Sequence, residues 1–298
     1  MLIHICPLKI GDNRMERQPL SRSLFSCCAY RGDVHDYVAS QVPPHWHREL
    51  EVVMVDGGEI ELALADAQIR VRAGEGYFVN AEKLHSIRSA SDGPCLYRSV
   101  VFDPAIVSGI AGSPFDLKYV RPLVEQGPFA YLLSGEEAWQ RPVFAAFEDA
   151  FHACAKEDPG FEFTVRHALS RIVLALTEHA GEPNAARPVT VREEKLKQMV
   201  EWIDENYMRP VRLKGLADAV HFSPRECERV FQRLLKITPY TYLLRRRIAA
   251  AALLLVGGDL PITEVSERCG FSTHSYFSRQ FRALTGLSPR DYRKNACA

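Results

Sequence analysis

The last hundred residues contain an internal repeat, and no other feature constrains the fold as much. Two segments, one around Phe231 and one around Phe281, superimpose at an offset of 50 residues. The equivalent pairs are Arg229 and Arg279, Phe231 and Phe281, Leu234 and Leu284, Pro239 and Pro289, and Tyr242 and Tyr292. Each copy predicts a short apolar helix, a tight turn and a longer helix, which is typical of a helix-turn-helix. Two copies in tandem predict two helices offered to one face of DNA.

The distribution of charge supports this interpretation, although the formal net charge of the chain is zero. From Arg192 onward there are 19 Lys and Arg residues against 12 Asp and Glu residues, a net charge of +7. The rest of the chain therefore carries −7. This asymmetry predicts a basic nucleic-acid-binding module joined to an acidic partner domain. A chain of 298 residues is long enough for two such domains.

Several features favour a cytoplasmic protein. No apolar run approaches the roughly 18 residues that a membrane span needs, and the first residues lack the pattern of a signal peptide. The eight cysteines show no metal-finger spacing, so we expect reduced thiols in the cytoplasm. No thiolate-stabilising context accompanies Cys27, Cys28 or Cys95, which disfavours a redox sensor.

The first half of the chain is predicted to form short β-strands. Alternating or β-branched segments are separated by turn residues such as Asp56, Gly57 and Gly58. The predicted strands are 52–55, 60–64, 69–71, 77–79 and 97–102. Short strands at this spacing are typical of a sandwich or barrel.

Helical periodicity follows the strands. Two amphipathic helices are predicted, with apolar stripes at Val143, Phe147, Phe151 and Cys154 and at Val165, Leu169, Ile172 and Leu176. The stripes either pack only on the barrel or are also buried against a second subunit. A Pro-containing stretch then predicts a linker. We therefore expect a sensor and dimerisation domain at 1–182, a linker at 183–191 and a DNA-binding domain at 192–298.

The polar residues near the start of each longer helix are the candidate DNA readers, because that end enters the major groove. They are Arg225, Glu228 and Arg229 in the first copy and His274, Ser275, Ser278 and Arg279 in the second. The alternative for each is a solvated face or an internal salt bridge. We expect Ser223 and Thr273 to cap their helices, which leaves backbone amides facing phosphates. The run Arg245–Arg247 predicts solvation or attraction of phosphate.

The segment GFSTHSYFSRQFRALTGLSPRDYR resembles the signature of the AraC/XylS family of bacterial transcription regulators. The upstream segment LADAVHFSPRECERVFQRLLKITPYTYL is similar to that family's first helix-turn-helix. The resemblance covers roughly residues 192–294 and implies a seven-helix domain whose two recognition helices enter successive major grooves. Glu228 departs from this picture, because it places an acidic residue toward DNA. It either accepts a hydrogen bond from cytosine or weakens the first helix as a reader.

A second pattern lies in the strand-rich half. The spacing of His45, His47, Glu51 and Gly58, with Gly74 and His85 further on, resembles the two-motif signature of the cupin superfamily of small β-barrels. Alternation along a strand would turn His45, His47 and Glu51 to one face. The second motif departs from the signature, since Asn80, Glu82 and Ser89 replace a usual proline, glycine and asparagine. The resemblance implies that a small effector binds inside the barrel.

Three histidines and one glutamate suit Zn, Fe, Mn or Ni. His45, His47, Glu51 and His85 are therefore candidates for effector binding and for a divalent transition metal. Contact with the effector without a metal, and a purely structural role, remain open alternatives.

The sequence thus predicts an α+β protein, with a cupin-like β-barrel and flanking helices followed by an all-α domain of two helix-turn-helix units. The predicted function is ligand-responsive regulation of transcription without catalysis. Expected partners are duplex DNA, a small-molecule effector, a second copy of the chain and RNA polymerase. The rival function is a metal-dependent cupin enzyme with an appended helical domain, but no catalytic role explains two helix-turn-helix units.

Overall fold

The structure, a computed structural model, describes residues 3–4, 25–64, 67–179, 191–256 and 258–296. Its contacts divide the chain into two compact units. Among the described residues, the first unit holds 3–4, 25–34 and 43–179, and the second holds 35–42 and 191–296. The predicted linker lies outside the described residues, apart from Val191 at the start of a helix.

The first unit is built on two sheets. A six-stranded sheet has the order β1-β2-β9-β4-β7-β10, and a four-stranded sheet has the order β3-β8-β5-β6. The strands are β1 Ile3–His4, β2 Cys27–Asp33, β3 Gln41–His45, β4 Leu50–Val55, β5 Glu59–Leu64, β6 Gln68–Arg72, β7 Gly76–Val79, β8 His85–Ser89, β9 Leu96–Phe102 and β10 Ala130–Leu133. All five predicted strands are present within β4, β5, β6, β7 and β9.

The register of the six-stranded sheet gives its central strand two different faces. β4 pairs antiparallel with β7 and β9, so that Glu51 lies opposite Val79 and Val101. Leu50 and Val52 belong to the core cluster that also includes the helices of this unit. Because successive side chains alternate across a strand, Glu51 lies on the opposite face, which is the one toward the second sheet.

Among the described residues of this unit, four α-helices accompany the sheets, and two of them form a long antiparallel hairpin. They are α1 Ala105–Ser108, α2 Arg121–Gln126, α3 Gln140–Lys156 and α4 Phe161–His179. All eight residues of the predicted apolar stripes are buried, and all eight belong to one core cluster with residues of β2, β4, β7, β9 and β10. Packing within a single chain therefore accounts for both stripes, and no second subunit is needed to bury them.

The second unit contains seven helices within the described part of residues 191–296, as the resemblance implied. They are α5 Val191–Asn206, α6 Leu213–Val220, α7 Pro224–Leu234, α8 Pro239–Val256, α9 Ile262–Arg268, α10 His274–Thr285 and α11 Pro289–Ala296. The helix pairs α6–α7 and α9–α10 are the two repeats, and α8 joins them. The fold is therefore α+β, with a strand-rich unit followed by a helical one.

Gly270 shows why the turn of the second repeat requires glycine. Its φ is +79°, and a Cβ atom there would lie 2.5 Å from the carbonyl oxygen of Tyr207. A side chain would therefore meet both backbone strain and a steric clash.

Within the described residues, no helix has both the length and the apolar character needed to cross a membrane.

Candidate metal centre and nucleic-acid interface

Three histidines converge in the first unit. His45 ends β3, His47 follows it, and His85 begins β8, the strand adjacent to β3. All three are buried, with at most 5% of each residue exposed. The ring centroids of His45 and His85 are 4.2 Å apart, and those of His47 and His85 are 5.3 Å apart. One candidate ligand atom from each imidazole lies within 4.8 Å of the other two.

Hydrogen bonds to the backbone fix the orientation of each ring. Nδ1 of His45 lies 2.9 Å from the carbonyl oxygen of Pro43, that of His47 lies 3.0 Å from the oxygen of Glu49, and that of His85 lies 2.8 Å from the oxygen of Lys83. A carbonyl oxygen can only accept, so each Nδ1 carries the proton. In the neutral imidazole, Nε2 then holds a lone pair. The fold thus prepares three Nε2 atoms as ligands.

Glu51 approaches the cluster from the other sheet. Its carboxylate oxygen lies 3.3 Å from Nε2 of His85 and 3.6 Å from Nε2 of His47. Burial pushes the pKa of Glu51 upward, but a proton on Nε2 of His47 or His85, donated to the carboxylate, outweighs burial and holds the pKa far below its ordinary value; a cation shared with these rings in place of the proton would act in the same direction. Burial, reinforced by His85 and His47, holds the pKa of His45 well below its ordinary value. These shifts favour an ionised carboxylate and a neutral imidazole, which are the ligand forms of both groups.

The donor set fits a divalent transition metal. Nε2 of His85 is buried and makes no hydrogen bond among the described residues. A buried polar atom without a partner is costly, and a cation would satisfy this lone pair together with those of the other two imidazoles. The arrangement differs from the expected one in one respect. His45, His47 and Glu51 do not share the face of one strand: His45 ends β3, His47 lies between β3 and β4, and Glu51 belongs to β4.

The second unit places the candidate DNA-binding residues on α7 and α10, or at their N-caps, and both helices have capped N-termini. The Ser223 hydroxyl accepts a hydrogen bond from the amide of Glu226, whose side chain returns to Ser223 in a capping box. The Thr273 hydroxyl accepts from the amide of Tyr276. The predicted caps are therefore both present.

The burial pattern of α7 separates the candidate readers from the core. Cys227, Val230, Phe231 and Leu234 are buried, whereas Arg225, Glu228 and Arg229 are exposed. Arg229 lies 3.9 Å from Glu226 in an exposed ion pair. Such a pair is weak, so it does not prevent the guanidinium from binding another partner. Gln232 is also exposed on this face. Sequence reasoning missed it, although its spacing of seven residues from Arg225 predicts that both lie on the same face of the helix.

In α10, Phe277 and Phe281 are buried, and Ser275 and Arg279 are exposed at helical spacing. The Arg279 guanidinium lies over the ring of Tyr276, 5.6 Å from its centroid. His274 Nε2 and Ser278 Oγ are 3.4 Å apart, so these two side chains contact each other at the surface. Arg282 continues the line of Ser275 and Arg279 seven residues after Ser275, and sequence reasoning missed it.

The comparisons with known proteins agree with both halves. Residues 29–135 match the family model of the AraC-like ligand binding domain, and residues 216–295 match that of a helix-turn-helix domain. The chain belongs to the AraC family of transcription regulators. It therefore combines a ligand-binding domain with a DNA-binding domain.

Similar AraC-family relatives span most of the chain. The uncharacterized HTH-type transcriptional regulator YdeC of Bacillus subtilis is 26% identical over 89% of this chain and 90% of its own length. The HTH-type transcriptional activator RhaR of Klebsiella pneumoniae is 26% identical over 85% and 88%, respectively. A crystal structure of ToxT from Vibrio cholerae covers 91% of this chain and 97% of its own, with 12% identity and a TM-score of 0.47.

Of the three departures from the cupin-like signature in this AraC-family chain, Asn80 and Ser89 make hydrogen bonds, and Glu82 adopts a left-handed backbone conformation. Asn80 is buried, and its side-chain amide donates to the carbonyl oxygens of Leu123 and Pro128. Glu82 has a φ of 60°, the region that favours the glycine usual at this position. The Ser89 hydroxyl donates to the carbonyl oxygen of Ser91. None of the three replaces a histidine of the cluster.

The arginine run of α8 corrects a prediction. Arg246 lies 3.3 Å from a carboxylate oxygen of Asp204, with side-chain exposures of 14% and 0%. Arg247 donates to the carbonyl oxygens of Tyr207 and Arg209, and Arg245 donates to Gln41. The run therefore joins α8 to neighbouring backbone and side chains, and the expectation of solvation or phosphate attraction was wrong. In the same helix, the apolar residues Leu253 and Val256 are exposed to solvent, whereas the arginines make contacts within the unit.

Proposed function

We propose that this regulator senses a small molecule at the histidine cluster of its first unit, and that a divalent transition metal held by His45, His47 and His85 is part of the sensor. The observation that carries the proposal is the convergence of the three imidazoles: each has Nδ1 on a backbone carbonyl, and one ligand atom of each ring lies within 4.8 Å of the other two. When bound, such a metal offers open coordination positions to an oxygen or nitrogen donor of the effector. Glu51 supplies negative charge beside it.

Elemental analysis of the full chain, purified without chelators, tests this proposal. We expect about one transition-metal ion per chain, in line with a single three-histidine site. Replacing both His45 and His47 with Ala should remove the metal and the response of DNA binding to the effector. His167→Ala is the matched control, because His167 is an exposed histidine of α4. A wild-type chain without metal that still binds its effector would contradict the metal and support direct contact.

We further infer that α7 and α10 read promoter DNA through the exposed and half-exposed residues near their N-termini. In α7 these are Arg225 and Arg229, with Glu228 beside them; in α10 they are His274, Ser275, Ser278 and Arg279. Arg can donate two hydrogen bonds to guanine, and Ser or His can form hydrogen bonds with base edges. The capped helix ends at Ser223 and Thr273 suit contacts with phosphate. The equivalent places of Arg229 and Arg279 in two repeats support a shared role.

The protein is proposed to act as a homodimer in the cytoplasm and to have no catalytic role. Its relatives are transcription regulators, and its six described cysteines without a disulfide suit a reducing compartment. The predicted apolar stripes are buried in the core of this unit, so we place the dimer contact on another surface. Phe163 and Leu174 are 82% and 41% exposed, and eleven residues, three helical turns, place them on one face of α4.

Sedimentation of the full chain at micromolar concentration tests the dimer. Phe163→Asp should shift the wild-type dimer to a monomer, because a charge at the centre of an apolar contact is costly. Thr164→Asp is the matched control, since Thr164 is the next exposed residue of α4 and faces about 100° away. A wild-type monomer, or a Phe163→Asp dimer, would contradict this surface.

A further inference from the structure

The chain between β2 and β3 belongs to the helical unit and not to the strand-rich one. We refer to His35–Val42 as the β2–β3 segment; its contacts group it with residues 191–296. Its turn, Val38–Ser40, contacts α8 and α10. Val38 packs against the core cluster that contains Phe271, Phe277 and Phe281. This segment is therefore part of the packing of the second helix-turn-helix.

A polar contact fastens the end of the same segment to the joining helix. The Gln41 side-chain oxygen accepts a hydrogen bond from the Arg245 guanidinium. Arg245 directly precedes Arg246 and Arg247, which hold α8 to Asp204 and to the backbone after α5. Gln41 thus contacts α8 at the helical turn whose arginines also contact Asp204 and the backbone after α5.

The backbone of the segment is strained. Ala39 and Ser40 have φ values of 59° and 49°, a region that non-glycine residues avoid. The conformation is held by the hydrogen bond between His35 Nδ1 and Ser40 Oγ, at 2.9 Å, and by the Ser40 amide, which donates to the carbonyl oxygen of Tyr37. Backbone strain of this kind persists only where surrounding contacts determine it, and it clusters at switch regions.

Strand β3 begins inside this segment, at Gln41, and ends in the histidine cluster at His45. β3 has the sequence Gln-Val-Pro-Pro-His and runs from Gln41 to His45. Proline fixes φ near −65°, so Pro43 and Pro44 leave this stretch little freedom to bend. His45 Nδ1 also donates to the carbonyl oxygen of Pro43, which joins the imidazole to the strand backbone. The two prolines therefore restrict the backbone between Gln41 and His45.

We propose that β3 is a rigid coupling element through which binding at His45 alters the contact of Gln41 with Arg245 and so the placement of α8 between the two DNA-binding motifs. The proposal rests on the histidine cluster as the effector site, as argued above, but not on the identity of the metal. It assigns Gln41 and Val38 a regulatory role that lies outside both the sensor site and the DNA-reading surfaces.

A double-mutant cycle on the full chain tests this coupling without any effector. DNA affinity is measured by fluorescence anisotropy, with a duplex selected from a randomised library by the wild-type chain. The variants are His45→Ala, Gln41→Ala and both together. If His45 acts through Gln41, the two effects on Kd should deviate from additivity by about 5-fold or more. The control cycle pairs His45→Ala with Gln232→Ala, an exposed residue of α7, and should be additive.

Additivity within about 2-fold in the first cycle would overturn the proposal, and so would equal non-additivity in both cycles. Val38→Ala replaces Gln41→Ala in a second cycle and guards against a folding defect, which circular dichroism of each variant detects. Failure of the sensor itself has a different signature. In that case the wild-type chain would lack both metal and effector binding, whatever the cycles show.

Discussion

The histidine cluster and the two recognition helices present their polar groups in opposite ways. In the cluster, each imidazole is buried and uses one ring nitrogen for a backbone carbonyl. On α7 and α10, the candidate readers are exposed or half-exposed. A buried polar atom without a partner, such as Nε2 of His85, implies a ligand on energetic grounds. An exposed arginine does not by itself imply a ligand. Arg229 and Arg279 indicate DNA contact only because they occupy equivalent positions in the two repeats.

The arginines of the helical unit repeat this contrast within one residue type. Arg225 is exposed on α7, whereas Arg246 is largely buried against Asp204. The two are alike in sequence, and their surroundings determine their roles. Substitutions at buried and exposed polar groups should therefore differ both in size and in the property that changes.

The largest expected effect is on stability, at Arg246. Arg246→Ala would remove the guanidinium from beside the fully buried carboxylate of Asp204, so the free energy of unfolding should fall by about 3–5 kcal/mol. Arg225→Ala, the exposed counterpart, should change it by less than about 0.5 kcal/mol. Urea denaturation of the two variants measures both values. Equal stabilities would show that burial does not separate the two arginines.

The next effect is on metal affinity, at Glu51. Glu51→Gln removes the charge beside Nε2 of His47 and His85, and we expect Zn²⁺ affinity to fall by about 10–100-fold. Competition with a chromophoric chelator measures the affinity. Glu75→Gln is the control, because its carboxylate accepts from the Arg72 amide away from the cluster. An unchanged Zn²⁺ affinity in Glu51→Gln would show that this carboxylate does not contribute to metal binding.

Sequence patterns predicted local and repeated features and failed where distant contacts decide. The repeat and the residues around it predicted both helix-turn-helix units and the caps at Ser223 and Thr273, since each depends on a few neighbouring residues. The spacing of the histidines predicted their convergence but not its route through two sheets. The role of Arg246 was missed because its partner, Asp204, lies on a different helix far back in the chain.

The membership of the β2–β3 segment could not be predicted for the same reason. Gln41 and Arg245 are separated by 204 residues, and no periodicity in either segment refers to the other. The segment follows β2 and includes the first two residues of β3, so its position in the chain alone would assign it to the strand-rich unit. Only the packing of Val38 in the helical core reveals its place.

The third prediction concerns the exposed arginines. Arg279→Ala and Arg229→Ala should each weaken binding to the selected duplex by about 1–3 kcal/mol and relax the preference at one base position. Their stability should stay within about 0.5 kcal/mol of wild type, unlike that of Arg246→Ala. Arg268→Ala, whose guanidinium pairs with Glu264 inside α9, serves as the control. Wild-type affinity and specificity in both variants would contradict the assignment of the recognition helices.

The smallest effect should come from Glu228, the acidic residue on the exposed face of α7. Glu228 lies about 60° around the helix from Arg225, at the side of the face and not at its centre. Glu228→Gln removes a negative charge near DNA, so binding should tighten by about 2–5-fold for all duplexes, more at low salt than at high salt. Ser278→Ala, the equivalent uncharged position of α10, is the control for loss of a side-chain contact without a change in charge. Anisotropy titrations at two salt concentrations distinguish the alternatives. A loss of affinity confined to duplexes with cytosine at one position would instead make Glu228 a base reader, and the first helix would then match the second in specificity.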